Sequence, residues 1–256
     1  MKHLIVTADD VGMNHALCAG ALRVADEGIV TSMALVVGAP ASAAAFALVA
    51  ARPALSVGLQ LRFVRGKPLA HVPGLLEADG CLPVDVLALA RRRAPPSELA
   101  REAEAQLAAF VAAFGRSPDF LATHQNTQLL PSVRGAVLDL AVTAGIPAVR
   151  YPVQHRLLRP TAKARTWLWP LATALGVAGR PALARSGLRH PDRMLAAAEP
   201  GRLSRRELDD LLAKVTEGTT ELVTWPSAAN EDVRSLTAPG LAERLAAAGV
   251  RLVGYP

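Results

Sequence analysis

The chain opens with the stretch His3-Leu4-Ile5-Val6-Thr7-Ala8-Asp9-Asp10, in which a mostly apolar run leads directly into two neighbouring carboxylates. Such a run is typical of a strand covered on both faces, as in parallel sheets whose crossovers are helices. A helical periodicity follows in Asn14–Glu27. The stretch therefore predicts the first strand and helix of a parallel sheet, with polar groups where the strand ends.

The same alternation of strand and helix continues along all 256 residues, without a break in composition. The later predicted strands are Ile29–Val37, Ser56–Leu61, Phe120–His124, Ala148–Tyr151, Glu221–Trp225 and Arg251–Gly254. The later predicted helices are Ala41–Ala51, Ser97–Phe114, Pro131–Ala144, Arg205–Glu217 and Pro239–Ala248. Since parallel strands need helical crossovers, we predict an α/β fold with one barrel-like domain over residues 1–256.

Two stretches interrupt this alternation, near residues 62–96 and 152–200. Both are rich in Gly and Pro and lack clear periodicity, apart from a helical piece around Ala162–Leu175. We predict long loops there, and loops of this length in a compact domain often cover or form binding sites.

Composition and charge exclude some classes of partner. The formal net charge is +6, but the arginines are spread over predicted helices and loops and form no basic face with interleaved aromatic residues. We therefore predict no nucleic-acid partner, whereas an anionic small molecule stays open. No apolar stretch approaches the ~20 residues of a membrane span, and the N-terminus lacks the pattern of a signal peptide. We expect a cytoplasmic protein without a membrane partner and leave open whether it forms a homodimer.

Polar groups recur where the predicted strands end, which is the edge at which parallel α/β folds place their chemistry. Asp9 and Asp10 alone fit either a helix cap or a functional site, but His124 at a second strand end favours a functional pocket. The candidate site residues at or near these ends are Asp9, Asp10, Gln60, His124, Asn126, Arg150 and Trp225.

Two adjacent carboxylates after a strand have a distinct chemical use. Neighbouring residues of an extended segment point to opposite sides, so one carboxylate can hold a cation or grip a substrate while the other accepts a proton. Crowding of two like charges also moves their pKa values apart. We therefore predict that Asp9, Asp10 and His124 form the catalytic set.

Several of these segments together resemble a known family, the YdjC-like carbohydrate deacetylases of the ChbG/HpnK group. The similarity covers nearly the whole chain in the same order. The segments that carry it are Val6–Gly12, Gly28-Ile29-Val30-Thr31-Ser32, Gly58-Leu59-Gln60-Leu61, the His124 segment ending in Pro131, and Ala148-Val149-Arg150-Tyr151-Pro152.

The resemblance implies a distorted (β/α) barrel with mostly parallel strands, which removes acetyl groups from N-acetylated sugars with a divalent metal. By position, Asp9 corresponds to the catalytic base, and Asp10 and His124 correspond to metal ligands. Gln60 stands where the family has a second histidine ligand, and Trp225 stands where a later family motif has another histidine. Gln60, a weaker ligand, completes the metal set, and magnesium tolerates its amide oxygen better than zinc does.

We assign Gln60, Asn126, Arg150 and Trp225 to substrate binding, with Arg150 available for an anionic group. Three functions are open. The first is a hydrolase that cleaves the amide C–N bond of an N-acylated sugar or related small molecule, with an altered zinc or magnesium site. The second is a metal-independent acid–base enzyme. The third is an inactive relative that binds a glycan or an anionic metabolite. We favour the hydrolase because the pair of Asp9 and Asp10 is intact.

Overall fold

The computed structural model describes residues 1–152, 168–196 and 199–256. The strands are β1 (Lys2–Val11), β2 (Ser32–Leu35), β3 (Ser56–Leu61), β4 (Leu121–Thr123), β5 (Arg193–Ala196), β6 (Gly218–Thr224) and β7 (Val250–Leu252). The α-helices are α1 (His15–Glu27), α2 (Ser42–Ala50), α3 (Val86–Arg92), α4 (Pro96–Phe114), α5 (Pro131–Thr143), α6 (Leu168–Ser186), α7 (Arg205–Leu212), α8 (Glu231–Leu236) and α9 (Leu241–Ala247). None of the helices in these ranges is both long enough and apolar enough to cross a membrane.

The strands form a parallel sheet in the order β4-β3-β2-β1-β6-β5. β6 pairs with one side of β1 along Lys2–Ala8. On the other side of β1, β7 pairs with the first part of the strand and β2 pairs with the later part. Beyond β4, isolated parallel bridges join Leu121 to Val149 and Ala148 to Arg189. The sheet thus curls into a half-barrel with helices between its strands, which confirms the predicted α/β barrel fold.

Local signals set the ends of several helices. At the start of α1, the Asn14 side chain accepts a hydrogen bond from the backbone N–H of Leu17 at 2.9 Å. Such a cap satisfies one of the N–H groups that have no partner within the helix. α4 ends at Gly115, whose φ of 77° is left-handed and costs a glycine little.

The predicted loop over residues 152–200 is wrong for part of its length, because α6 and β5 lie within it. α6 tolerates Pro181 and two glycines because it is held by tertiary contacts. Leu183 is buried, and the Tyr151 hydroxyl donates to the Gly176 carbonyl at 2.5 Å. The helical piece predicted around residues 162–175 overlaps the start of α6, and its residues 162–167 lie outside the described ranges.

Three further differences concern short elements. The loop near residues 62–96 contains α3 and a 3₁₀ turn at Pro73–Leu75, and α8 had no clear periodic signal. The predicted strand Ala148–Tyr151 takes part in isolated bridges and is not a regular strand. Elements of six or seven residues carry too few apolar positions for a period to be recognised, so tertiary contacts decide them.

Gly58 in β3 leaves room for an aromatic stack in the barrel interior. A methyl group at this position would lie 2.5–2.6 Å from ring carbons of Phe120. That ring cannot easily move, because it stacks on Tyr255 with the ring centres 3.8 Å apart. Gly58 is therefore required for a close approach of two neighbouring strands, β3 and the segment that leads into β4.

We expect Gly58→Ala to lower the free energy of unfolding by about 1–3 kcal/mol, because the added methyl overpacks this stack. Urea unfolding measures the change. Gly135→Ala in α5 is the matched control, since a methyl there meets nothing within 4 Å and improves helix propensity by about 1 kcal/mol. Equal stability of Gly58→Ala and the wild type would contradict the packing argument.

Candidate active site

Asp9 and Asp10 lie at the carboxyl end of β1, where the strand becomes irregular. The register with β2 shifts between Ala8 and Val11, and Asp10 has a left-handed φ of 57°. The backbone N–H of Asp10 donates to the Gln60 side-chain oxygen at 2.8 Å. The simple alternation expected of an extended strand therefore stops here, and each carboxylate is directed by its own set of contacts.

Asp10 pairs with His124 at the edge of the sheet. The distance from Asp10 Oδ1 to His124 Nδ1 is 2.7 Å, and the two side chains are 14% and 9% exposed. Because the carboxylate is an acceptor, Nδ1 carries the hydrogen of this bond. The other ring nitrogen, Nε2, is buried and has no hydrogen-bond partner among the described residues.

A sharp turn after β4 places His124. The 3₁₀ segment His124–Leu129 contains two residues with left-handed backbone, Gln125 with φ 56° and Asn126 with φ 51°. Left-handed conformations are uncommon for residues other than glycine, and asparagine is one of the few that adopts them readily. Thr123 supports the turn through hydrogen bonds between its hydroxyl and both the side chain and the backbone N–H of Gln128.

Asp9 faces the barrel interior and forms a two-pronged ion pair with Arg150. Arg150 Nη1 donates to Asp9 Oδ2 at 2.8 Å, and Nη2 donates to Oδ1 at 2.7 Å. Gln60 Nε2 also donates to Oδ2, at 3.1 Å. The Asp9 and Arg150 side chains are only 5% and 1% exposed. Fork-shaped pairs of this kind fix the orientation of a carboxylate as well as its charge.

Glu221 in β6 holds the adjoining edge of the same guanidinium. Arg150 Nε lies 3.1 and 3.0 Å from the two Glu221 carboxylate oxygens, and Nη2 lies 2.8 Å from Oε1. The Thr7 hydroxyl in β1 donates to the same Oε1 at 2.7 Å. Glu221 is fully buried, so the interior contains a linked group of three charges, Asp9, Arg150 and Glu221.

The burial of this group and the charges within it shift the pKa values of Asp9 and Arg150. Burial raises the pKa of Asp9 to about 6, against the opposing influence of Arg150, and the negative charges of Asp10 and Glu221 act in the same direction as burial. Although burial alone would lower it, the charges of Asp9 and Glu221 hold the pKa of Arg150 well above its ordinary value. Arg150 is therefore a permanent cation, and the raised pKa of Asp9 brings the titration of this acid closer to neutral pH.

Two predicted substrate-binding residues lie at strand ends in half-buried positions. Asn126 belongs to the turn beside His124, and Trp225 follows β6. The described hydrogen bonds of Trp225 use its backbone: its N–H donates to Asp232 at 2.7 Å, and its carbonyl accepts from Asn230 at 2.8 Å. These contacts fix the path of the chain after β6, and the roles of both side chains toward a substrate stay predictions.

Arg150 and Gln60 differ from what their predicted roles require. The buried Arg150 directs its donors at Asp9 and Glu221, so it is not open to an anionic ligand as the sequence suggested. Both ends of the Gln60 amide are also engaged, the oxygen by the Asp10 backbone and the nitrogen by the Asp9 carboxylate. Both residues therefore act on the acids of the site.

The donor atoms present do not fit a zinc centre. Zinc in proteins takes at least three His, Cys or carboxylate ligands, and the described part of the chain contains no group of three such residues placed to hold a metal ion. Asp10 and His124 share a hydrogen bond of 2.7 Å with each other. The third candidate, Gln60, offers a neutral oxygen that already accepts from a backbone N–H.

Comparison with known families identifies the relatives of this chain. The sequence model of the family described as YdjC-like protein matches residues 3–248. The chain belongs to this family. The YdjC-like chain is also similar in fold to a protein of Enterococcus faecalis V583 that is named after an inferred role in cellobiose-phosphate cleavage. That pair shares 23% identity with a TM-score of 0.77, over 99% of this chain and 97% of the other.

A second similar structure is the catalytic domain of the peptidoglycan N-acetylglucosamine deacetylase of Eubacterium rectale ATCC 33656. It is 11% identical, with a TM-score of 0.52, over 100% of the YdjC-like chain and 89% of the other. Both likenesses concern the fold.

Sequence reasoning missed Glu221 and Thr7 in this YdjC-like site. Glu221 was assigned only as the first residue of a strand, although it lies within β6 between Thr220 and Leu222. A charged residue inside a strand buried on both faces needs a buried partner. Arg150, which follows the apolar pair Ala148-Val149, is the matching cation. The sequence therefore already contained a signal for this ion pair, namely an acidic and a basic residue that each belong to an apolar, buried segment.

Proposed function

We propose that the protein is a hydrolase that removes an acyl group, in the simplest case acetyl, from an N-acylated sugar or a related small molecule. One observation carries this proposal: at the carboxyl edge of a YdjC-like sheet, Arg150 and Gln60 orient Asp9, and Gln60 also holds the backbone of Asp10, which pairs with His124. Membership of the family supports the reaction class. The deacetylase name of the Eubacterium rectale relative agrees with it.

The chemistry can be written on the residues of the chain. A water molecule attacks the amide carbonyl carbon, and Asp9 takes the proton that the water loses. The C–N bond then breaks as His124, which enters the reaction with a hydrogen on both ring nitrogens, delivers the Nε2 proton to the leaving nitrogen. A carboxylic acid and a free amine result, and exchange with solvent removes the proton from Asp9 and restores the one on His124. Asp10 holds His124 through Nδ1, which leaves Nε2 as the ring nitrogen that can meet the substrate.

The divalent metal that the family resemblance implies is not used in this scheme, because the donor set of Asp10, His124 and Gln60 does not fit zinc. Magnesium needs fewer protein ligands than zinc, since one or two carboxylates and several waters can hold it. The amide oxygen of Gln60 is nevertheless already engaged. We therefore propose that turnover depends on Asp9 and His124 and survives removal of divalent metals.

The test is acetate release from a panel of N-acetylated sugars, beginning with N-acetylglucosamine and its short β-linked oligomers. Each reaction is run after exhaustive chelation and again with added Mg²⁺, Mn²⁺ or Zn²⁺. Release that persists after chelation supports the proposal. Release that requires an added metal contradicts the metal-independent scheme. Binding of the sugars without acetate release under any of these conditions would contradict hydrolysis and favour a binding protein.

The acid limb of the pH profile should reflect Asp9. Asp9 accepts a proton only as a carboxylate, and burial raises its pKa to about 6. We therefore expect kcat/KM to fall as the pH decreases through about 6, about two units above the limb that an ordinary aspartate gives. The measurement is the initial rate of acetate release from about pH 4.5 to about pH 8. This range spans the titration of such an acid. A profile flat down to pH 4.5 would exclude Asp9 as the base.

A further inference from the structure

We propose that Glu221 is a positioning residue for Asp9, acting through Arg150, and that Asp9 Oδ1 is the atom it leaves available for the reacting water. This inference rests on the proposed function, because it concerns the same site. Glu221 touches neither Asp10 nor His124 in the described hydrogen bonds. Its hydrogen-bonded connection to Asp9 therefore passes through the guanidinium of Arg150.

The register of β1 and β6 brings Glu221 beneath the site. Glu221 lies opposite Ile5 in the parallel pairing of these strands, below the strand end that carries Asp9. The Thr7 hydroxyl fixes one of its oxygens at 2.7 Å. Thr7 and Asp9 are two residues apart on β1, so the same strand anchors both ends of the chain of contacts.

The planar guanidinium converts these contacts into an orientation. Glu221 holds Nε and Nη2, and Asp9 accepts from Nη1 and Nη2. Rotation of the Arg150 plane would break bonds to both carboxylates at once, because the five N–H groups of the fork have a fixed geometry. With Glu221 in place, the plane of the Asp9 carboxylate is fixed as well.

The two oxygens of Asp9 are then unequal. Oδ2 accepts from Arg150 Nη1 and from Gln60 Nε2, whereas Oδ1 accepts only from Nη2 within the described part of the chain. Each carboxylate oxygen has two lone-pair sites. Oδ1 therefore retains an unused site, and it is the oxygen that can take the proton from water.

Glu221→Gln is the direct test, because the amide has nearly the same size but cannot accept at both of its atoms. We expect kcat for acetate release to fall by about 10²-fold with KM little changed, as for a displaced reacting group. Glu102→Gln is the matched control. Glu102 is an equally buried carboxylate that accepts from the backbone N–H groups of Leu69 and Ala70, and its replacement should leave kcat unchanged.

A second readout does not depend on turnover. In the wild type, the Arg150 Nη–H groups should give separate, slowly exchanging ¹⁵N-resolved NMR signals, because rotation of the guanidinium is blocked on both edges. Glu221→Gln should average these signals, and Glu102→Gln should preserve them. Thr7→Val keeps all three charges and removes only the hydroxyl, so it tests the same chain of contacts if Glu221→Gln does not fold, with a smaller decrease in kcat.

These outcomes separate the two proposals. Wild-type protein that releases no acetate refutes the proposed function, while averaged Arg150 signals in Glu221→Gln still support positioning by Glu221. Signals and kcat that are unchanged in Glu221→Gln overturn the role of Glu221 and leave the proposed function intact. Equal losses of kcat in Glu221→Gln and Glu102→Gln would show a general effect on stability and would also overturn it.

Discussion

Replacement of Arg150 by methionine is expected to lower the free energy of unfolding by about 3–5 kcal/mol, the largest stability effect that this site offers. The reason is the burial of its two partners. Asp9 and Glu221 are 5% and 0% exposed, and without the guanidinium two carboxylates would lie unpaired in the barrel interior. Methionine fills much of the same volume, so the loss measures charge more than packing.

Urea unfolding of the variant at pH 7.5 checks this expectation. The control is the triple variant with Asp9→Asn, Arg150→Met and Glu221→Gln, in which none of these three buried charges remains. Because replacing a complete buried ion-pair group is often neutral, the triple variant should regain most of the lost stability. If Arg150→Met unfolds with wild-type stability, or if the triple variant is no more stable than the single one, the three residues are not energetically coupled.

The fold was predictable because its signals are local and repeated. The β3 strand Ser56–Leu61 was predicted with both ends correct, and α1 and α5 were predicted to within one residue. Each carries a periodic pattern with clear boundaries, and a parallel order of such elements permits few architectures. The errors fell where a helix contains proline and glycine, as in α6, or where an element is only a few residues long, as in β5.

The site was only half predictable, and the reason is geometric. Sequence order and strand ends were enough to predict that Asp10 and His124 lie at the same edge, because all strands of a parallel sheet end there. Their contact across β2 and β3 depends on the curl of the sheet. The contacts of Arg150 were not predictable from its own position, since its partner Glu221 is 71 residues away and its direction depends on the curl of the sheet. The sequence allowed the buried Arg150 to be matched with the buried Glu221 by charge. The two-pronged hydrogen bonds of the guanidinium were not predictable, because they depend on how the folded strands place these side chains.

Replacement of Asp9 by asparagine is expected to reduce kcat for acetate release by about 10²–10⁴-fold while the protein stays folded, because a general base is removed at almost constant volume. Stability should change far less than in Arg150→Met. The amide of asparagine still offers an oxygen to Arg150, and Glu221 remains as a counter-charge for the guanidinium. A large loss of turnover with a small change in stability is therefore the signature that separates a reacting carboxylate from a structural one.

Acetate release and urea unfolding measured on the same preparation distinguish these possibilities, and Asp119→Asn is the matched control. Asp119 accepts from the Val57 backbone N–H at 2.7 Å near the start of β3 and pairs with Arg116, away from the carboxyl edge of the sheet. Its replacement should leave kcat at the wild-type value. Wild-type turnover in Asp9→Asn would mean that the proton goes elsewhere. The buried group of Asp9, Arg150 and Glu221 would then serve the stability of the barrel alone, and the Asp10–His124 pair would have to carry the reaction.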